Sequence, residues 1–174
     1  MPSRAERRTA AIERMADHLL REGLASATLR PLAAAAGTSD RMLLYYFADR
    51  EELLAATLEA IAVRLTGVLD AALAADIRLN PKALLEKVWS TVGTIDTQPY
   101  MRLWLELAAV AGRQREPETR IARAIMDGFV AWVSAHLDDP DPTAAALVLA
   151  RLEGMLFLDA VGRRDLADLA ASAV

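Results

Sequence analysis

Proline and glycine divide this chain into a series of helical segments. Four Xaa-Pro steps, at Asn80-Pro81, Gln98-Pro99, Glu116-Pro117 and Asp141-Pro142, each predict a helix that begins at the proline, because the first residues of a helix do not use their N–H groups. Alanine and leucine, both strong helix formers, fill the segments between these steps, and no alternating β-branched run interrupts them. The sequence therefore predicts an all-α protein.

The first fifty residues predict three helices in quick succession, over about 3–22, 29–37 and 40–47. Thr28 is the expected N-cap of the second helix and should accept the N–H of Arg30. A long fourth helix follows, with Asp49 as its cap and Glu52 three residues later, a variant of the capping box.

Several classes of function are excluded by the composition. The chain has no cysteine and only two histidines, far apart at His18 and His136, so we expect no metal site and no cofactor. There is no nucleophile–His–acid arrangement, no phosphate loop and no glycine-rich dinucleotide motif, which argues against an enzyme. The charged N-terminus lacks a signal peptide and no apolar run reaches the roughly 18 residues of a membrane span, so we expect a cytoplasmic protein.

Charge is distributed unevenly along the chain. Residues 1–50 hold eight arginines against six acidic residues, a net charge of +2, whereas the whole chain carries −4 and the remainder therefore −6. A weakly basic N-terminus on an acidic body fits a small nucleic-acid contact surface, but the contrast is modest and by itself favours ordinary solvated charge.

The second and third predicted helices form a helix-turn-helix candidate. They are joined by "AGTSD", and Gly37 in that turn allows the two helices to cross steeply. In this motif the second helix lies in the major groove of DNA with its N-terminal residues at the bases. Leu43 and Phe47, four residues apart, are expected on the buried face of that helix.

A longer pattern surrounds this motif. Residues 23–54, "GLASATLRPLAAAAGTSDRMLLYYFADREELL", contain Gly23-Leu24, Thr28-Leu29-Arg30, the "LAxxAG" of 32–37, Ser39, Leu43, Tyr46-Phe47 and the "REELL" of 50–54. Their order and spacing resemble the DNA-binding region of TetR-type transcriptional repressors. The specific motifs cover about residues 5–55, and beyond them only the number, length and order of helices agree.

The resemblance implies an all-α homodimer with a three-helix DNA-binding domain over 1–48 and a ligand-binding and dimerisation domain over 49–174. It implies a regulator, most simply a repressor, that binds palindromic double-stranded operator DNA and is released by a small-molecule effector. By the same resemblance, Thr28, Arg30, Tyr46 and Arg50 contact phosphates or base edges, and Ser39 belongs to the same DNA-binding set.

Three positions depart from the family pattern. Asp40-Arg41 stands where many members have Lys-Gly, and Leu44 replaces a frequent phosphate-contacting tyrosine. Asp40 suits a helix N-terminus and could accept from a cytosine amino group, and Arg41 becomes the candidate for reading guanine. With Leu44 there, either one phosphate contact is lost or Tyr45, which is expected at the DNA surface, supplies it. For Met42, contact with a thymine methyl group and simple exposure both remain open.

The last two long segments predict the dimer contact, because apolar residues recur there at helical spacing beside Gly128, Ala150 and Gly154. The predicted interface residues are Ile125, Phe129, Val133, Val148, Leu152, Met155 and Leu156.

Aromatic and polar side chains between residues 82 and 132 suit an apolar ligand pocket. The predicted pocket residues are Trp89, Thr94, Met101, Trp104, Glu106 and Trp132, although each of them could instead belong to the core. Glu106 could pair with a cationic ligand or with Arg102. The alternative to a regulator is a helical ligand-binding or scaffolding protein with a degenerate DNA-binding domain, for which Asp40 and Leu44 provide the support.

Overall fold

The computed structural model describes residues 3–73 and 77–172, and within these ranges the chain is helical throughout, with one isolated backbone bridge and no strand. The predicted all-α fold is confirmed. A short 3-10 turn, Leu24–Ser26, lies between the first two α-helices. The α-helices are α1 Arg4–Glu22, α2 Leu29–Ala36, α3 Asp40–Tyr46, α4 Arg50–Ala72, α5 Pro81–Val92, α6 Gln98–Ala111, α7 Glu118–His136, α8 Pro142–Ala160 and α9 Arg164–Ser172.

Two of the four prolines begin helices as predicted. Pro81 and Pro142 are the first residues of α5 and α8, and Asn80 and Asp141 cap them through side-chain oxygens. The other two predictions are wrong by one residue, since α6 begins before Pro99 and α7 begins after Pro117. Both positions remain compatible with proline, because the first turn of a helix leaves its N–H groups unused.

The chain divides into two compact units. The head unit comprises Met1–Arg64 together with Glu106–Ala122, and the body unit comprises Leu65–Leu105 together with Arg123–Val174. Helix α4 contributes its first part to the head unit and its last part to the body unit, so the two units share one continuous helix.

The core of the head unit forms where α1 packs on α2 and α2 packs on α3. Its largest fully buried side chains are at most 1% exposed, and burying each stabilises the fold by roughly 1.5–3 kcal/mol. They include Met15, Leu19, Leu32, Leu43 and Phe47. The prediction that Leu43 and Phe47 belong to the core is therefore confirmed.

The body unit is built around α5, α8 and α9, which pack against one another. Leu84 and Leu85 of α5 and Met155 of α8 are at most 1% exposed in its core. A backbone bridge joins the residues just before α5 to the end of α7, with Leu79 N donating to His136 O at 2.9 Å and Asp138 N donating to Leu79 O at 3.0 Å.

Two negative findings bear on function. Among the described helices, none combines the length and the apolar character that crossing a bilayer requires. Within the same residues, no group of three His, Cys, Asp or Glu side chains is placed to hold a metal ion.

Candidate nucleic-acid interface

The turn between α2 and α3 is closed by backbone geometry. Gly37 adopts a left-handed conformation, with φ 71° and ψ 34°, that favours glycine. Thr38 N donates to Ala33 O at 2.9 Å, and Nη1 of Arg14 in α1 donates to Ala36 O at 3.1 Å. These bonds satisfy carbonyls at the end of α2 and fix the direction in which α3 leaves the turn.

The third helix has one buried face and one exposed face. Ser39 caps it as predicted, accepting the N–H of Met42 at 3.3 Å. Met42, Leu44 and Tyr45 are exposed by 39%, 44% and 58%, which is unusual for large apolar and aromatic side chains in a folded protein. Asp40 and Arg41 are also exposed, and Tyr46 is half-buried.

One contact of this exposed face comes from α1. The guanidinium carbon of Arg4 lies 4.6 Å from the centre of the Tyr45 ring, and Arg4 Nη2 donates to the Tyr45 carbonyl at 2.8 Å. The rings of Tyr45 and Tyr46 meet edge to face with centroids 5.8 Å apart. Sequence reasoning missed Arg4, because 41 residues separate it from Tyr45 and no local spacing connects them.

A second arginine of α1 anchors the start of α4. Arg8 Nη2 donates to Glu52 Oε1 at 2.8 Å, and its guanidinium lies 4.7 Å from the centre of the Phe47 ring. Glu52 also accepts the N–H of Ala48, while its own N–H donates to Asp49 Oδ1 at 2.8 Å. Two hydrogen bonds lower the pKa of Glu52. The larger effect comes from the backbone N–H of Ala48 and the next from the side chain of Arg8. Asp49 therefore caps α4 as predicted, with Glu52 reaching one residue further back.

The N-termini of α2 and α4 lie next to each other. Arg50 Nη2 donates to the carbonyl of Ala27 at 3.2 Å, one residue before Thr28. Thr28 occupies the N-cap position of α2, but its side chain makes no capping hydrogen bond, so the predicted bond to the N–H of Arg30 is not formed. Since Pro31 removes the other N–H that a cap commonly uses, little holds the hydroxyl at the helix end. Thr28, Arg30 and Arg50 all have exposed side chains.

The head unit also contains a cleft of about 710 Å³, lined by residues that include Leu24, Arg50, Leu54 and Val110. Glu106, a predicted ligand residue, lines the same cleft and accepts the N–H of Leu24 at 2.6 Å. The two residues lie 82 positions apart in sequence. The sequence suggested Arg102 or a cationic ligand as the partner of Glu106, and neither alternative included the backbone of the 3-10 turn.

The comparisons with known proteins bear on this surface. Residues 15–64, which contain α2, α3 and the start of α4, match the family model of the bacterial regulatory proteins of the tetR family. Residues 15–64 of the head unit are therefore similar to the bacterial regulatory proteins of the tetR family. A comparison of the chain with curated proteins finds no match.

Solved structures extend the TetR-type fold over nearly the whole chain. A TetR-family transcriptional regulator from Rhodococcus sp. is 21% identical with a TM-score of 0.74, covering 96% of this chain and 95% of its own. A tetR transcriptional regulator from Streptomyces avermitilis is 27% identical with a TM-score of 0.62, covering 90% and 87%. The multidrug binding protein EbrR, solved with imidazole, is 25% identical with a TM-score of 0.68, covering 100% and 95%. The chain therefore has the fold of TetR-family transcriptional regulators, with the helix-turn-helix in the head unit.

The residues predicted to bind a ligand are divided between the two units of the chain. Glu106 belongs to the head unit and the other five belong to the body unit. Trp89 is only 5% exposed, Thr94 is exposed in the turn after α5, and the remaining three are half-buried. The five body residues are Trp89, Thr94, Met101, Trp104 and Trp132.

Every indole N–H in the chain donates to a carboxylate of the body unit. The pairs are Trp89 to Asp168 at 2.8 Å, Trp104 to both oxygens of Glu153 at 3.0 and 2.9 Å, and Trp132 to Asp70 at 2.7 Å. The two residues of each pair lie between 49 and 79 positions apart in sequence, so no helical spacing could have predicted these bonds.

The residues predicted to form the dimer contact lie mostly inside the body unit. Five of the seven are at most 9% exposed, which leaves little of their surface for a second copy, and Ile125 and Phe129 are half-buried. The buried five are Val133, Val148, Leu152, Met155 and Leu156.

A second apolar face of α8 remains exposed. Leu147, Phe157 and the adjoining Val161 are exposed by 60%, 59% and 57%, and Ala150 and Gly154 lie between them at helical spacing. Sequence periodicity could not separate the two faces, because α8 is apolar on both.

Proposed function

We propose that this chain is a ligand-responsive transcriptional repressor that binds a palindromic operator as a homodimer. The observation that carries the proposal is the exposed face of α3, which displays charged and aromatic side chains within a matched TetR-family domain. In a helix-turn-helix this face enters the major groove.

The exposed residues divide into base-reading and phosphate-binding groups. Arg41, in the first turn of α3, is the candidate for bidentate contact with guanine, and Asp40 beside it suits a cytosine amino group. Met42 follows in the same turn and is the candidate for contact with a thymine methyl group. Thr28 and Arg50 lie together at two helix N-termini, where N–H groups and a guanidinium favour a phosphate.

The proposed dimer uses the exposed face of α8 that contains Leu147, Gly154 and Phe157. A side-chain carbon added at Gly154 would meet nothing within 4 Å, and the same holds for Gly128 of α7. Such open space beside large exposed apolar side chains fits the close approach of helices from a second copy. Burying this face would also remove a contiguous apolar patch from water.

The effector is proposed to bind in the body unit and to act on the operator complex through α4, the helix that both units share. Ligand would favour a conformation of the dimer in which the two α3 helices no longer match the half-site spacing. EbrR, a structural neighbour solved with imidazole, is named as a multidrug binding protein, and this supports a small-molecule role for the fold.

Selection of bound sequences from random double-stranded DNA tests the proposal. The purified protein should enrich a palindrome whose half-sites lie one helical turn, or a multiple of it, apart. Its affinity should fall steeply with salt. The absence of any enriched motif, together with salt-insensitive binding, would favour the alternative of a ligand-binding protein with a degenerate head.

A further inference from the structure

The three tryptophan–carboxylate pairs of the body unit differ in one respect. In two of them a basic side chain completes the group. Arg164 lies 4.6 Å from the centre of the Trp89 ring, and its Nε donates to Asp168 Oδ1 at 3.3 Å. Each of these contacts places a guanidinium where a tryptophan ring and a carboxylate both attract positive charge.

The second pair repeats the arrangement with a histidine. His136 stacks on the Trp132 ring with centroids 4.1 Å apart, and its Nε2 lies 3.6 Å from Asp70 Oδ1. The same carboxylate oxygen accepts the indole N–H of Trp132 at 2.7 Å. A base, a tryptophan ring and a carboxylate are again in mutual contact.

The third pair has no such base. Trp104 donates to Glu153, and Glu153 forms no ion pair with any residue in the described part of the chain. The neighbour of Trp104 is Phe129, whose ring lies 6.2 Å away at an interplanar angle of 86°. Within the described residues, Glu153 therefore stands beside two perpendicular aromatic rings without an ion-pair partner.

We propose that Trp104, Phe129 and Glu153 form the binding site for the positively charged group of an organic amine or quaternary ammonium ligand. This inference rests on the proposed function, because it gives the chemical class of the effector. The ligand supplies the cation that Arg164 supplies beside Trp89 and Asp168. Aromatic faces attract a weakly hydrated cation, and the carboxylate opposes its charge.

The state of Glu153 agrees with this assignment. Burial raises the pKa of its carboxyl group, and the hydrogen bond from Trp104 acts in the opposite direction. A carboxylate that loses hydration without gaining a cation is costly, so a bound cation offsets that cost. All three side chains keep part of their surface exposed, so they are not sealed within the core. Met101 and Met126 are partly buried against the body core, three residues before Trp104 and Phe129 on the same helices, and flexible methionine side chains suit an apolar ligand.

The test uses the full-length protein and measures choline and tetraethylammonium by calorimetry, with quenching of tryptophan fluorescence as a second readout. The uncharged isostere 3,3-dimethylbutan-1-ol and potassium chloride serve as controls for shape and for ionic strength. We expect both organic cations to bind at least tenfold more tightly than the neutral alcohol. Equal binding of choline and the alcohol, or no binding of either cation up to about 10 mM, overturns the site.

Two amide variants locate the charge. Glu153→Gln keeps an acceptor for the indole N–H and removes only the negative charge, and it should weaken choline at least tenfold. Asp168→Asn makes the same chemical change in a pair that already has its arginine, and it should leave choline binding unchanged. An unchanged affinity in Glu153→Gln, or an equal loss in both variants, contradicts the assignment. Circular dichroism shows whether each variant is folded.

Failure of this site and failure of the proposed function give different results. If the protein selects an operator but binds no organic cation, only the proposed ligand class is overturned. If it binds choline through Glu153 but selects no DNA motif, the proposed repressor function is overturned. Release of a selected operator by choline, retained in Asp168→Asn and lost in Glu153→Gln, supports both.

Discussion

Arg4 and Tyr45 join the first turn of α1 to the exposed face of α3. One guanidinium both covers the tyrosine ring, at 4.6 Å from its centre, and donates to the tyrosine carbonyl at 2.8 Å. Tyr45 stands beside Leu44, which replaces a tyrosine that often binds phosphate in this family. The guanidinium of Arg4 therefore adds a positive charge to the exposed face of α3, on which the side chain of Leu44 carries no polar group.

Arg4→Ala should weaken binding to operator and to unrelated DNA by similar factors. If Arg4 neutralises one phosphate, the slope of log K against log salt should become shallower by about one unit, which gel shifts at several salt concentrations would measure. Arg21→Ala removes the same charge from the far end of α1, about 25 Å away along the helix. Equal slopes for the two variants would show that Arg4 acts only through net charge.

Substitutions of Arg41 and of Arg50 should change different properties of DNA binding. Arg41→Ala is expected to cost about 1–3 kcal/mol on the selected operator and to relax the preference at one base pair. Arg50→Ala should weaken all sequences alike and reduce the salt dependence, because its place at a helix N-terminus suits a phosphate. Affinities over a set of single-base operator variants distinguish the two outcomes, and identical profiles would contradict the division of roles.

Two glycine substitutions should change stability in opposite directions. Gly23 has φ 83° and ψ 174°, a region that is essentially restricted to glycine, and an added side-chain carbon would lie 2.8 Å from Glu106 Oε2. Gly23→Ala should therefore lower the free energy of unfolding by about 1–3 kcal/mol. Gly67 lies within α4 with open space around it, so Gly67→Ala should raise that free energy by up to about 1 kcal/mol. Urea denaturation of both variants measures the difference.

Phe157→Glu should break the proposed dimer without unfolding the body unit. A carboxylate placed in an apolar contact between copies should cost at least about 2 kcal/mol, roughly a thirtyfold increase in the dissociation constant. Ile95→Glu introduces the same charge at a residue that is 74% exposed outside α8, and it should leave the mass unchanged. Analytical ultracentrifugation should find the wild type and Ile95→Glu near twice the chain mass of 18.9 kDa. A wild-type mass near one chain would overturn the dimer.

The raised pKa of Glu153 has a consequence for pH dependence. In the folded chain this carboxyl holds its proton to a higher pH than in the unfolded chain, so its contribution to stability falls as pH rises from the ordinary glutamate pKa through the raised value. Glu153→Gln removes that fall. The free energy of unfolding of the wild type, minus that of the variant, should therefore decrease across this window and then level off. A constant difference would show that the carboxyl titrates normally.

Local signals in the sequence were sufficient for the helices and for the two faces of α3. Ser39 and Gly37 lie within a few residues of the backbone groups that they satisfy, and Leu43 and Phe47 share a face through helical spacing alone. Thr28 is the N-cap of α2 as predicted, but its predicted hydrogen bond to the N–H of Arg30 is not formed. At Thr28 the prediction from sequence was limited by the hydrogen-bond geometry of a single side chain.

Long-range partners were not predictable in the same way. The bonds from Leu24 to Glu106 and from Trp104 to Glu153 span 82 and 49 residues, and no periodicity connects such positions. Helical spacing predicts the dimer contact on α7 and on the more regular apolar stripe of α8, but the residues of that α8 stripe are buried inside the body unit. A single sequence gives no means of choosing between two apolar faces of one helix.

The discontinuous head unit matters for protein engineering. A recognition module cut after α3, or even after residue 64, would lack Glu106 and leave the N–H of Leu24 without its carboxylate. It would also lack Arg120, the ion-pair partner of Glu51 in α4. A chimera that grafts this DNA specificity onto another sensor should therefore transplant residues 106–122 along with the N-terminal helices.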